Sequence, residues 1–390
     1  MKKTTSMLPK LSAVAAATLC ATSAMAQSSV TLYGLADTAI RYQTNAGVNG
    51  TNQTQLGVGV ETPSRWGLKG SEDLGGGLSA IFRLENGFNL WDGALSSSGV
   101  QFSRMAYIGL SSKDYGTLTF GRQQSPFFSA MGNLFDPLTV GDYWQDSWVY
   151  NGVGPFLTIN NSVKYAKDFG GLHIEGMYGF GNQAGAVGLG SMYGVEASYA
   201  FGPATFGAGF QQNDVASAPI NGQPPAATNG AKFNILHVSA TYKITPAVNL
   251  LAGWLHSHDR TGLTDFNMQQ AQAPTLPGTG SPNRIDDSFY VGAAWQATTP
   301  LSITLAGYYD HARNAERLDG TLGTGINYSA TLLGEYSLSK RTEVYGTVDF
   351  ARGNGAFAAD YPGSSIPGST SLTAGRTNNV GVAIGLRNIF

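Results

Sequence analysis

Val380-Gly381-Val382-Ala383-Ile384-Gly385-Leu386-Arg387-Asn388-Ile389-Phe390 is the stretch that decides the fold. Positions 380, 382, 384, 386 and 390 carry Val, Val, Ile, Leu and Phe, and the positions between Asn379 and Arg387 carry Asn, Gly, Ala, Gly and Arg. A period of two sends the first set to one face of a strand and the second set to the other. The same split recurs along the whole chain in segments of about ten residues. Strands that are apolar outward and polar inward are the signature of a transmembrane β-barrel.

The other end supports this reading. Lys2, Lys3 and Lys10 are basic, Leu11 to Ala21 is apolar and small, and Ala24-Met25-Ala26 fits the small-x-small rule for signal cleavage. The expected organisation is a cleaved signal over residues 1–26 and one barrel domain over residues 27–390. A lipoprotein anchored through Cys20 is the rival, but Leu19 is too large for that cleavage site. Cys20 is the only cysteine and leaves with the signal, so no disulfide, thiolate metal site or cysteine nucleophile is expected. Losing three lysines makes the chain more acidic than its overall net charge of −2, which argues against a nucleic-acid partner. Only 12% of residues are charged and 11% are aromatic, as suits a lipid-facing wall with aromatic girdles. After the signal, no stretch approaches the roughly 18 apolar residues of a spanning helix.

Alternation and turn residues predict sixteen strands, near 30–42, 53–70, 77–91, 101–112, 116–124, 160–168, 171–181, 192–202, 203–212, 232–245, 248–258, 287–299, 301–312, 326–338, 341–353 and 376–390. Their connections alternate strictly between short and long. Tight turns such as Lys113-Asp114-Tyr115, Gly202-Pro203 and Ser339-Lys340 separate long loops such as 125–159, 213–231, 259–286 and 354–375. That rhythm belongs to an all-β, antiparallel up-and-down barrel with short turns on the periplasmic side.

Three blocks and the terminal residue carry a family resemblance. Ser28-Ser29-Val30-Thr31-Leu32-Tyr33-Gly34 opens the mature chain, and Ser64-Arg65-Trp66-Gly67-Leu68-Lys69-Gly70-Ser71-Glu72-Asp73-Leu74-Gly75-Gly76-Gly77-Leu78 follows. Leu338-Ser339-Lys340-Arg341-Thr342-Glu343-Val344-Tyr345-Gly346 and the terminal Phe390 complete the set. Together they resemble the general porins of beta-proteobacteria and their neisserial relatives, over essentially all of the mature chain. The resemblance implies a homotrimer of sixteen-stranded barrels in the outer membrane, in contact with its lipid and lipopolysaccharide. Each barrel would be a passive channel for small hydrophilic solutes and ions, without cofactor or metal. It also implies that the third long loop folds inward to form a constriction, and that Phe390 serves as the signal read by the barrel-assembly machinery.

Between Gln123 and Val163 the chain has no lysine or arginine but carries Asp136, Asp142 and Asp146. By resemblance these are the acidic side of the constriction, joined by the inward-facing Asp37 of the first strand. Parity supplies the basic wall. With Val30, Leu32, Ile40 and Tyr42 outward, Arg41 points in; the same argument turns Arg65, Lys69, Arg83, Glu85, Arg104 and Lys164 inward. Arg65 and Arg104 also fall where the family motifs place constriction arginines. Guanidinium groups stay protonated at any relevant pH, so two facing charged walls would set a field across the pore.

Arg122 shares parity with Leu118 and Phe120 and should face outward, where a charge costs about 2–4 kcal/mol at the bilayer midplane. Either a bulge resets the register or Arg122 lies in a subunit interface; the interface fits a trimer. His256 and His258 share a face and, with Asp259, are the one candidate metal group, otherwise a lumen or loop pair. No GxxxxGK[ST] loop or GxSxG elbow occurs. A solute-specific channel, marked by an aromatic stripe along the lumen, and a barrel enzyme with catalytic rim residues are the alternatives to a general channel.

Overall fold

A computed structural model describes residues 29–46, 50–138, 156–215, 231–262, 264, 283–316, 321–355 and 377–390. The expected signal peptide, Asp142 and Asp146 lie outside the described residues.

The strands are β1 (Ser29–Gln43), β2 (Gln53–Val58), β3 (Arg65–Gly75), β4 (Leu78–Gly87), β5 (Met105–Ser112), β6 (Gly116–Gln124), β7 (Thr158–Phe169) and β8 (Leu172–Gly179). They continue as β9 (Met192–Phe201), β10 (Ala204–Val215), β11 (Ala231–Thr245), β12 (Val248–Asp259), β13 (Arg284–Gln296), β14 (Leu301–Glu316), β15 (Leu322–Ser337), β16 (Thr342–Gly355) and β17 (Asn378–Ile389). Each pairs antiparallel with its sequence neighbour, save that β2 and β3 both pair with β1 and share one wall. β17 returns to β1 from Leu35↔Ile389 to Gln43↔Gly381, so the result is a closed barrel of sixteen walls. Closure pairs the edge backbone groups that lipid cannot satisfy.

The alternation sets the two faces. In β17, Ile384 is 70% exposed on the outer face and Ala383 2% on the inner one. Val30, Leu32 and Ile40 are exposed on β1, whereas Ala39, Arg41 and Gln43 are buried inside.

Three departures from simple alternation shape the lumen. The second wall, expected as one strand over 53–70, breaks at residues 59–64. Pro63 lies in that break and cannot donate to a ladder. The tops of β14 and β15 reach Glu316↔Leu322, past a bulge between Ala312 and Ala315, so the expected loop 313–325 is shorter than its sequence suggested. The third departure is an apolar patch on the inner face of β7–β12. Ile159, Met177, Met192, Phe233, Ile235 and Leu255 are buried there with Phe127, Met131 and Phe135, which come from the connection after β6.

Candidate functional site

That connection begins as a short helix, α1 (Pro126–Ala130), and continues as a π-turn over Met131–Phe135. Ser125 caps α1 by accepting from the Phe128 N–H at 3.2 Å, and Pro126 stands where a helix can lack a donor. The segment packs on the inner wall opposite β3–β5. Phe127 meets the ring of His237 edge-on at 5.1 Å, and Phe135 lies 5.8 Å from it. Gly207 allows this approach, since a Cβ there would stand 2.2 Å from the Phe135 ring. Beneath them His237 Nε2 and Glu196 Oε2 pair at 2.7 Å, fully buried. The described part of the third long loop thus lies against the inner wall.

Asp136 does not face open lumen. It is 2% exposed and accepts a 2.6 Å hydrogen bond from Tyr308, which ties the loop to β14. Phe127 and Phe135 are fully buried, and replacing a buried phenylalanine by alanine typically costs about 3–5 kcal/mol. Phe127→Ala with Phe135→Ala should release the loop while the wall stays closed. Single-channel conductance in planar bilayers is then expected to rise; an unchanged conductance would mean that this apolar bed does not hold the loop.

A second inward element comes from the break at 59–64. Gly59 N–H donates to the Asp37 carbonyl at 3.2 Å, and Thr62 N–H to the Asp37 carboxylate at 2.9 Å. Tyr345 joins both sides, donating to Asp37 Oδ1 at 2.7 Å and accepting from Val60 N–H at 2.9 Å. Asp37 is fully buried as the peg of this kink rather than lining the constriction as expected. Arg41, expected on the basic wall, is also withdrawn: it is 2% exposed and pairs with Asp349 at 2.9 Å.

The remaining basic candidates do converge. Arg65 on β3, Arg83 on β4 and Arg104 just before β5 surround Glu85. Arg83 reaches Glu85 at 2.5 Å and Arg104 reaches it at 2.8 Å. Tyr33 donates to Glu85 at 2.8 Å and accepts from Arg83 Nε at 2.6 Å, while Lys69 stands 5.3 Å over its ring. Arg65 donates to Thr62 Oγ1 at 3.0 Å, which joins the basic wall to the kink. Four cations meet one carboxylate here. Lys164 lies apart, beside Glu175 at 3.3 Å.

Sequence reasoning missed a third charged group. Glu61 from the kink, Glu335 from β15 and Glu343 from β16 converge on Arg387 of β17. The three carboxylates bring one oxygen each within 4.8 Å of one another, a spacing that would suit a cation. The Arg387 guanidinium contacts all three and supplies the positive charge instead. The kink brings Glu61 there, and alternation alone did not reveal the kink.

Two expectations concern the outer face. The β6–β7 register shifts between Gly121 and Gln123, with the extra residue on β7, where Asn161 takes a φ of 51°. The bulge leaves Arg122 on the outer face, donating to the Ser103 carbonyl at 2.8 Å and to Asn160 Oδ1 at 2.6 Å. His256 and His258 are neither in the lumen nor in a loop. They share the outer face of β12 with Trp254, where His256 Nδ1 lies 2.8 Å from Asp287 and His258 Nε2 lies 2.7 Å from Asn283. Asp259, on the opposite face, instead accepts from the Thr261 and Thr264 N–H groups at 2.7 and 2.8 Å.

Comparison with known proteins agrees with this geometry. The chain is 28% identical to outer membrane porin protein 32 of Delftia acidovorans over 395 residues, covering 98% of this chain and 100% of that one. It is 39% identical over 154 residues to an outer membrane porin protein of Bordetella pertussis, a match that covers 36% of this chain and 38% of the relative. Among solved structures, an anion-selective porin from Comamonas acidovorans superposes with a TM-score of 0.72 at 23% identity, over 93% of this chain and 100% of that one. The sequence profile described as Gram-negative porin matches residues 12–356, and by that match the chain belongs to the Gram-negative porin family.

Proposed function

We propose that the protein is a passive, trimeric diffusion channel of the Gram-negative outer membrane for small hydrophilic solutes, and that it favours anions. The observation that carries the preference is the lumen wall of β3–β5, where Arg65, Lys69, Arg83 and Arg104 face a single carboxylate, Glu85. Of the acids that would balance it, Asp37 and Asp136 are buried and hydrogen-bonded, Glu61, Glu335 and Glu343 share Arg387, and Asp142 and Asp146 lie outside the described residues. An excess of one sign of fixed charge on one wall of a narrow pore concentrates the opposite ion there. Planar-bilayer recording across a potassium chloride gradient tests both claims. A linear current with a reversal potential on the chloride side is expected; a reversal on the potassium side would overturn the preference, and absence of steps would overturn the channel.

Arg122 supports the trimer. Its two partners are neutral, and it has no ion pair among the described residues, so its charge is open to an acid of a neighbouring subunit. Arg122→Ala should lower the temperature at which trimer bands dissociate in mild detergent and leave single-channel conductance unchanged. A wild-type protein that is only monomeric under those conditions would remove this assignment.

A further inference from the structure

A cavity of about 310 Å³ lies against β12–β15, near the short turn at Thr245 and Pro246. That is the small end of the ~300–1,000 Å³ seen for small-ligand sites. Pro137 and Leu138, from the connection after β6, close one side, and Ala294 and Leu333 line the wall. Leu138 and Leu333 are both buried, so this part of the lining is packed and apolar. Glu61 from the kink, Asn249 of β12 and Glu335 of β15 bring polar groups to the same space, and Lys243 stands exposed at its rim.

What the cavity lacks is a donor. Glu61 is 4% exposed; its Oε1 meets Arg387, and its Oε2 has no hydrogen-bond partner among the described residues. Asn249 Oδ1 is a second buried acceptor without a partner there. Glu335 Oε2 accepts from the Ser302 hydroxyl at 2.7 Å, but its Oε1 stands 3.9 Å from Arg387, beyond hydrogen-bond reach. Buried acceptors ordinarily find donors, and buried carboxylates ordinarily find cations. Here the charges do not balance. Glu61, Glu335 and Glu343 share the one guanidinium of Arg387, and Lys243, with no ion pair among the described residues, adds a single cation at the rim. One negative charge is left over.

We infer that this cavity binds a small primary monoamine as its ammonium ion, with the charge among Glu61, Glu335 and Asn249 and a short hydrocarbon tail between Leu138 and Leu333. An ammonium carries three donors and no acceptor, which answers a set of acceptors that lack donors. One positive charge completes the balance. A diamine would bring a second charge toward Lys243, and an anion would meet the surplus carboxylate. A bare metal ion would have to displace Arg387, which already contacts the three carboxylates. The basic wall of β3–β5 contributes none of these groups, so amine binding and anion preference stand or fall separately.

Saturation-transfer NMR on the purified protein in a non-ionic detergent at neutral pH tests this with three probes, n-butylammonium, the diamine putrescine and butyrate. Wild-type protein should saturate with n-butylammonium and hold it about tenfold more tightly than either of the others, the scale of one partly desolvated charge pair. Glu61→Gln with Glu335→Gln should lower n-butylammonium affinity about tenfold. Because Glu61 also braces the kink, Ala294→Leu provides a second variant: it fills the cavity, leaves both carboxylates in place, and should lower the affinity likewise. Lys243→Ala should bring putrescine close to n-butylammonium by removing the repelling charge. Equal affinity for the three probes, wild-type affinity in the glutamine and leucine variants, or putrescine still excluded from Lys243→Ala would each overturn the inference.

Discussion

Replacing Arg65 and Arg104 together by glutamate is expected to invert the ion preference of the channel. The change turns four cations beside one carboxylate into two cations among three carboxylates, on a wall where Arg83 and Arg104 share Glu85. Arg83 keeps its partner, and the outer face is untouched, so the barrel should still form and resist heat as wild type does. Fixed charges act on permeating ions within about a Debye length, roughly 10 Å at 0.1 M salt, so the effect should be largest in dilute electrolyte. In a tenfold gradient of monovalent salt the reversal potential should change sign, moving by on the order of 10–20 mV of the ~59 mV available. Arg65→Lys with Arg104→Lys keeps the charge and should keep the sign. If the glutamate variant still reverses on the chloride side, these arginines do not set selectivity.

The second large effect is expected at the other end of the wall. Phe390 joins the ring through two backbone bonds, its N–H donating to the Gly34 carbonyl at 3.0 Å and its carbonyl accepting from Gly34 N–H at 2.9 Å. Its ring lies so close over Gly34 that a Cβ there would be 2.3 Å away, which is why a glycine stands opposite the terminal aromatic. Deleting Phe390 removes the periplasmic end of the seam between β17 and β1, together with the side chain that the family resemblance assigns to recognition by the assembly machinery. Folded trimer in outer membranes should fall by about an order of magnitude while precursor accumulates in the periplasm; each unpaired backbone group in lipid costs several kcal/mol. Barrels that do assemble should conduct normally. Were Phe390 only a rim aromatic, its loss would cost about 1 kcal/mol and trimer levels would stay near normal.

The ring itself was legible because lipid imposes a binary rule. Val380, Val382, Ile384 and Leu386 must share a face, and short and long connections must alternate, whatever the details of packing. The lumen obeys no such rule. Parity told that Asp37 and Arg41 point inward, but not that Tyr345 and Asp349, 308 residues away, would bury them. Pro63 was a signal for the break in the second wall, and it lay inside a run read as one strand. Phe233, Ile235 and Leu255 carry the wrong polarity for a wet lumen, which marks the bed of the inward loop. Their meaning needs the loop to be placed first. His256 is the opposite case: it shares parity with Trp254 and Leu250, so its outward position was already written in the strand.

The kink at residues 59–64 also orders events in time. Its anchors cross the seam: Tyr345 to Asp37 and Val60, Arg41 to Asp349, Arg387 to Glu61. Each joins the first sixth of the polypeptide to its last walls, so each carries a long loop-closure penalty that hairpins between neighbours avoid. A nascent chain can zip β3 to β4 and onward without them. Until β16 and β17 arrive, Asp37 has only its bonds to Gly59, Thr62 and Ser64, Glu61 lacks Arg387, and nothing ties the kink across the seam. The bore is set by the final step of folding, and a barrel that stalls before closing has walls but no finished pore.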